Sequence, residues 1–146
     1  LLDRFGLSVE VTSPRDIATR VEVIRRRDAY EMHHDRFMKT WAPMDAGLRN
    51  QILAARAALP AMKTPATALH DCAALCLALG SDGLRGELTL LRAGRALAAF
   101  EGDTVLKRGH LRRVAPMALS HRLRRDPLDE AGSGARVGRT LAEVLP

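Results

Sequence analysis

The chain is poor in aromatic residues, cysteine and lysine, and each scarcity excludes something. One Trp, one Tyr and three Phe among 146 residues are too few for a base-stacking platform of the single-strand-binding kind. Two cysteines, Cys72 and Cys76, make no disulfide framework and suit a reducing, cytoplasmic setting. No apolar run approaches the ~20 residues of a membrane-spanning helix, because charge interrupts each one. Lys39, Lys63 and Lys107 are the only lysines, and they follow Met38, Met62 and Leu106. A phosphate-cradling P-loop needs Gly-Lys-Ser/Thr, so none lies in these residues. An acidic pair at the end of an apolar strand is also missing, since Asp129-Glu130 follows Pro127-Leu128. The opening Leu1-Leu2-Asp3-Arg4 has neither an initiator Met nor a signal-peptide pattern, which predicts a piece of a longer chain.

What remains is an ordinary globular composition, 47% apolar and 27% charged, with arginine as the dominant cation. The net charge of +6 is uneven: residues 107–146 carry nine basic and four acidic groups, while residues 1–31 carry six of each. Arginine's planar fork suits phosphate and carboxylate partners.

Phe5 to Val11 alternates loosely and predicts one short strand, whose sheet partners would lie outside this sequence. Every later periodic segment reads as helix. Ser13-Pro14-Arg15-Asp16 predicts a helix start, with Ser13 as N-cap and Pro14 at the first helical position. Ile17, Val21 and Ile24 follow at helical spacing. Pro43 is expected to open a second helix carrying Leu48, Ile52, Ala55 and Leu59. Thr67 leads into a third, with Leu69, Cys72, Leu75, Cys76 and Leu79 on one broad face and Gly80 as its stop. Leu84, Leu88, Leu91, Leu97 and Phe100 mark a fourth before Gly102, and Leu111, Val114, Ala118, Leu119 and Leu123 a fifth, with Pro116 inside it. Pro127 to Gly138 reads as loop, and Thr140 to Leu145 as a short terminal helix.

Cys72 and Cys76 stand at i, i+4 near His70. Zinc wants four ligands, and His70 falls on another helical face, so the cysteines are expected as small buried side chains and no metal site is expected. Five scattered histidines support no nucleophilic triad. Two arginines stand out by position. Arg4 precedes the predicted strand, and Arg85 follows the tight turn Gly80-Ser81-Asp82-Gly83 at a helix start, a favourable place for an anion. Ion pairs of Arg4 with Asp3 and of Arg85 with Asp82 are the plainer alternative on spacing alone.

The segments LLDRFGLSVEV, RVEVIRRRDAYE, DCAALCLALGSDGLRGELTLLRAGRALAAFEG and HLRRVAPMALSHRLRRDPLDEAGSGARV closely resemble the ATPase subunits of magnesium chelatases, most of all the bacteriochlorophyll type. These are AAA+ motors that drive insertion of Mg²⁺ into protoporphyrin IX. The resemblance implies a mainly α chain, a helical lid bundle with the last strand of a truncated α/β AAA+ core. It divides the sequence into that strand (1–12), connecting helices (13–64), a lid (65–126) and a C-terminal tail (127–146).

The same resemblance gives Arg4 the role of an arginine finger acting in trans on a neighbour's ATP, with Asp3 positioning it. Arg85 becomes the sensor-2 arginine, touching the phosphates of nucleotide in its own subunit. ATP and Mg²⁺ are the implied cofactors, held mainly by Walker A, Walker B and sensor-1 residues absent here, so that these residues alone are not expected to hydrolyse ATP. The implied partners are a homo-oligomeric ring (a hexamer), a second AAA+ chelatase subunit and a large porphyrin-binding subunit, with no nucleic acid and no membrane span. Two other readings stay open: the lid of another AAA+ ATPase, MoxR-like or helicase-like, and a basic helical nucleic-acid-binding module using Arg108, Arg112, Arg113, Arg122, Arg124 and Arg125.

Overall fold

The computed structural model describes residues 4–81, 83–123 and 132–146. Six α-helices account for most of them: α1 (Ile17–Met32), α2 (His34–Ala58), α3 (Ala66–Ala78), α4 (Arg85–Phe100), α5 (Arg108–Leu119) and α6 (Gly132–Val144), with single 3₁₀ turns at Leu59–Ala61 and Ser120–Arg122. The chain divides into two compact units, one made of residues 1–9 and 54–146 and the other of Glu10–Leu53.

In the larger unit, α4 and α5 form the most extensive pair, and α3 and α6 pack beside them. The core is aliphatic: Leu75, Leu79 and Cys76 from the α3 segment, Leu90 from α4, Leu111, Val114 and Leu119 from α5, and Val137, Leu141 and Leu145 from the α6 segment. The predicted broad face of the third helix is therefore the buried face, Leu69 excepted, which stays half-exposed. This helix and the next end as the glycines forecast. At α3, Gly80 adopts φ +66°, with Gly80 N–H donating to Leu77 O and Ser81 N–H to Cys76 O, each at 3.0 Å. At α4, Gly102 adopts φ +80°, with Gly102 N–H donating to Ala99 O at 3.1 Å and Asp103 N–H to Ala98 O at 2.9 Å. These are Schellman stops, which use a left-handed glycine to satisfy the last carbonyls.

Gly94 serves a second purpose. A Cβ there would lie 2.7 Å from Leu111 Cδ2 and 3.1 Å from Leu106 Cδ1, so its bare backbone lets α5 approach α4. Asp71, buried on α3, accepts both Arg108 Nε at 2.9 Å and Arg108 Nη2 at 3.1 Å, fastening α3 to the first residue of α5. An isolated parallel bridge between Lys63 and Val105 ties the chain before α3 to the α4–α5 connection.

Four expectations need correction. The segment read as loop up to Gly138 is helix from Gly132, where α6 begins, because Val137, Leu141 and Leu145 keep one apolar register that packs into the core. The strand over Phe5–Val11 does not form: residues 7–15 have no regular secondary structure, and Phe5, Leu7, Val9 and Val11 are all exposed. A strand needs an adjacent edge, and these residues offer none; Ser8 N–H donates instead to Met117 O at 2.9 Å. The first helix starts later than Ser13, at Ile17, because Asp16 is the cap: its carboxylate accepts both Thr19 N–H and Thr19 Oγ1 at 2.8 Å. Those two bonds hold the Asp16 carboxyl below its ordinary range. Finally, Pro43 does not open the second helix but lies inside α2, which already begins at His34. A proline there forfeits one backbone hydrogen bond without ending the helix.

The smaller unit holds the N-terminal helix and most of α2. None of its residues is buried, and the expected apolar stripe (Ile17, Val21, Ile24, Leu48, Ile52) is exposed. Two helices alone cannot enclose such a stripe. The unit's rings form a ladder, Tyr30 to Phe37 at 5.6 Å and Phe37 to Trp41 at 5.8 Å between ring centres, with Arg26 4.6 Å above Trp41. Among the described residues no helix is long and apolar enough to cross a membrane.

Candidate functional site

Arg85 owes its place to the turn before it. The Schellman stop at Gly80, followed by Gly83 at φ +72°, redirects the chain so that α4 starts at Arg85 immediately after Leu84. Gly86 then lets that start close on α3: a Cβ would meet Ser81 Oγ at 2.8 Å and Cys76 Sγ at 3.3 Å. From Arg85 the helix carries Thr89 and Arg92 at i+4 and i+7, the spacings that share one face.

Arg4 is brought to the same face from the other end of the sequence. Arg122, in the 3₁₀ turn after α5, donates Nε to Ala118 O at 3.0 Å and Nη2 to both Phe5 O (2.8 Å) and Thr89 Oγ1 (3.3 Å). His121 Nε2 donates to the same Phe5 carbonyl at 3.0 Å. The peptide next to Arg4 is thus held by two side chains of the α5 terminus.

The result is a cleft of about 410 Å³ lined by Arg4, Gly6, Arg85, Thr89, Arg92 and Arg122. Four guanidiniums and one hydroxyl face it, and among the described residues no carboxylate does. Like charges so gathered repel one another, and an anion relieves that repulsion; guanidinium forks match phosphate and carboxylate oxygens. Arg85 at a helix N-terminus adds the positive end of the helix dipole. The volume lies within the range of small-molecule pockets.

The two arginines singled out in the sequence therefore meet in one cleft, and two more join them. Arg92 is not among the residues the sequence singles out, although the i, i+4, i+7 series from Arg85 was readable, and Arg122 figures there only in the nucleic-acid reading. Asp3 and Asp82, the alternative partners, lie outside the described residues. The described basic residues of the nucleic-acid reading are engaged within the chain or face the cleft. Arg108 is spent on Asp71, Arg112 Nη1 donates to Leu145 O at 2.7 Å, Arg113 pairs with Glu101, and Arg122 faces the cleft. Arg124 and Arg125 lie outside the described residues.

Cys72 and Cys76 fill the core as expected, at 2% and 0% exposure. Burial, reinforced by the Asp71 and Glu87 charges, pushes the Cys72 thiol up to about 11. Burial and the Glu87 charge push Cys76 to about 12.

Comparison with known proteins bears on this geometry. The family model of the AAA lid domain matches residues 69–141, the stretch from α3 to α6 that carries Arg85, Arg92 and Arg122. The chain belongs to the AAA lid family. The chain is similar along its whole length to the magnesium-chelatase 38 kDa subunit of Cereibacter sphaeroides, with 74% identity over 146 residues, all of this chain and 44% of that protein. The corresponding subunit of Rhodobacter capsulatus is 70% identical over the same 146 residues, 42% of its length. A magnesium-chelatase subunit of Anabaena variabilis is 34% identical over 145 residues, 99% of this chain and 43% of that protein. The chain thus spans less than half the length of the curated relatives it matches.

Proposed function

We propose that these residues form the lid-bearing part of the ATP-hydrolysing motor of a magnesium chelatase, which drives insertion of Mg²⁺ into protoporphyrin IX for (bacterio)chlorophyll synthesis. The observation that carries this reading is the 74% identity to a magnesium-chelatase subunit along all 146 residues. The cleft fits the phosphates of ATP: among the described residues its lining is cationic, with Thr89 as the one hydroxyl. No P-loop lies in the sequence, so the loop that grips those phosphates comes from outside these residues.

In this reading ATP supplies the energy-yielding bond, with Mg²⁺ on its phosphates, and the chain supplies charge. Arg4, the finger, stabilises the negative charge that builds on the transferred phosphoryl group, an effect worth about 10³–10⁵ in rate. Arg85 holds the phosphates from the lid. The sequence resemblance assigns the two guanidiniums to two different nucleotides, one of a neighbour and one of its own subunit. Their shared cleft favours a single nucleotide for both. Arg122 and His121 hold the peptide beside Arg4, and Asp3 remains the residue proposed to steer its side chain. The motor works as a homo-oligomeric ring with a second AAA+ subunit and a porphyrin-binding subunit, in the cytoplasm, and metal insertion takes place on the last of these.

The test is reconstitution of the whole protein carrying this sequence with its two partner subunits, protoporphyrin IX, Mg²⁺ and ATP, following metalloporphyrin fluorescence. ATP-dependent metal insertion is expected, and Arg4→Ala should lower ATP turnover by at least about 10³-fold while leaving nucleotide binding largely intact. Wild-type turnover in Arg4→Ala, or no insertion by the unaltered protein, would overturn the reading.

A further inference from the structure

The smaller unit has a groove of its own, of about 360 Å³, where the end of α1 meets the start of α2. Most of its lining is apolar, with the half-buried rings of Phe37 and Trp41 at i, i+4 on α2. Arg25, Arg26, His33 and Arg36 line it too, and among the described residues no carboxylate does. Glu22 holds Arg25 at 3.1 Å and Arg26 at 2.8 Å, but these pairs are exposed and each guanidinium keeps donors to spare. Arg36 and His33 have no side-chain partner among the described residues. The charge is local, since residues 10–53 together carry eight basic and seven acidic groups. The groove also lies apart from the bare apolar stripe of α1: at about 100° per residue, Ala29 in its wall sits roughly a third of a turn round the helix from Ile17. That stripe suits another apolar surface, whereas the groove, with its cations, calls for an anionic occupant. Nucleic acid fits it poorly. Arg26 already covers Trp41, the rings tilt against one another, and a near-neutral unit offers no extended track for a phosphate backbone.

We propose that this groove docks an acidic segment of another protein, which sets an apolar side chain against Phe37 and Trp41 and carboxylates on Arg25, Arg26 and Arg36. Guanidinium forks match carboxylate oxygens, and an apolar patch rimmed by charge is the usual form of a protein-binding surface. Tryptophan and arginine are also the side chains that most often dominate such contacts. The docking site is independent of the nucleotide reading, because none of its residues lines the arginine cleft.

The experiment is fluorescence anisotropy on the whole protein carrying this sequence, with a short labelled peptide that sets one phenylalanine between glutamates. Control peptides replace the glutamates by lysines or the phenylalanine by alanine, and each change should weaken binding by about ten-fold or more. Arg36→Gln should weaken the glutamate peptide by about ten-fold, and Arg36→Glu should weaken it further while raising affinity for the lysine peptide. Arg49→Gln, on α2 but outside the groove, should change little. Trp41 is the single tryptophan of this sequence, so binding of an unlabelled peptide should alter an emission that Trp41→Phe removes without abolishing the binding. Failure of the glutamate peptide to bind overturns the proposal, and so does an equal loss in Arg49→Gln and Arg36→Gln, the mark of diffuse charge attraction. Arg36-dependent binding of an oligothymidylate in place of the peptide would assign the face to nucleic acid. A change of assembly size in Arg36→Glu, seen by analytical ultracentrifugation with no peptide bound, would assign it to a second copy of the chain. Either result refutes the acidic segment, and none of them bears on the nucleotide reading.

Discussion

Cys72 and Cys76 look like half of a metal site in the sequence, and burial makes them the opposite of reactive. With thiols pushed up to about 11 and about 12, neither forms the nucleophilic thiolate near neutrality. Alkylation by iodoacetamide at pH 8 should therefore be negligible in the folded chain and complete in denaturant, as mass spectrometry would show; ready labelling of the native chain would contradict the burial. The same shifts set an alkaline limit. A raised folded value means stability is fully present below the ordinary thiol value of 9.0 and is lost as pH climbs towards 11–12, so denaturant midpoints should fall over that window. A midpoint flat to pH 11.5 would speak against it. At this scale the sequence was informative about Arg4 and Arg85, whose neighbours Phe5-Gly6 and Gly83-Leu84 mark them out. It offered Arg122 only as one of several basic residues, because its part depends on Phe5 O, 117 positions away, coming within hydrogen-bond reach.

At the scale of elements, close approach of α4 and α5 is the main packing decision, and it is made by a glycine facing a leucine. Leu111 is fully buried, and removing it to alanine should cost about 2–5 kcal/mol. Gly94→Ala alone crowds Leu111 Cδ2 and works against the ~1 kcal/mol that alanine gains in helix propensity. In the Leu111→Ala background the crowding atom is gone, so Gly94→Ala should be more favourable there than in the unaltered chain. Urea melts of the four-member cycle would measure the coupling; simple additivity would show that the two residues do not touch. Legibility also varied by element. Helices α3, α4 and α5 were readable because their apolar faces recur regularly and end at Gly80 and Gly102. The start of α6 was hidden behind Gly132-Ser133-Gly134, although Val137, Leu141 and Leu145 keep an i, i+4, i+8 register and are buried. The N-terminal strand was legible as a pattern only, since pairing needs a second segment and none among the described residues lies beside it as a strand.

For the whole molecule, the division into two units separates a packed lid from a helix pair without a core. Residues 10–53 bury nothing, whereas the larger unit encloses sixteen buried residues in one continuous cluster. Limited trypsin digestion should cut first at Arg25-Arg26-Arg27 and last within α4, despite Arg92 and Arg95 there; early cleavage in α4 would invert the proposed order of stability. The central claim concerns the cleft: one chain presents Arg4 and Arg85 to the same nucleotide. Mixing tests it most directly. In whole protein carrying this sequence, Arg4→Ala and Arg85→Ala subunits should each lack ATP turnover. If both arginines of a chain serve one nucleotide, every site in a mixed assembly lacks one of them, and combining the two variants should restore nothing. Recovery of ATP turnover on mixing would show that the two arginines act on different nucleotides and would contradict the account.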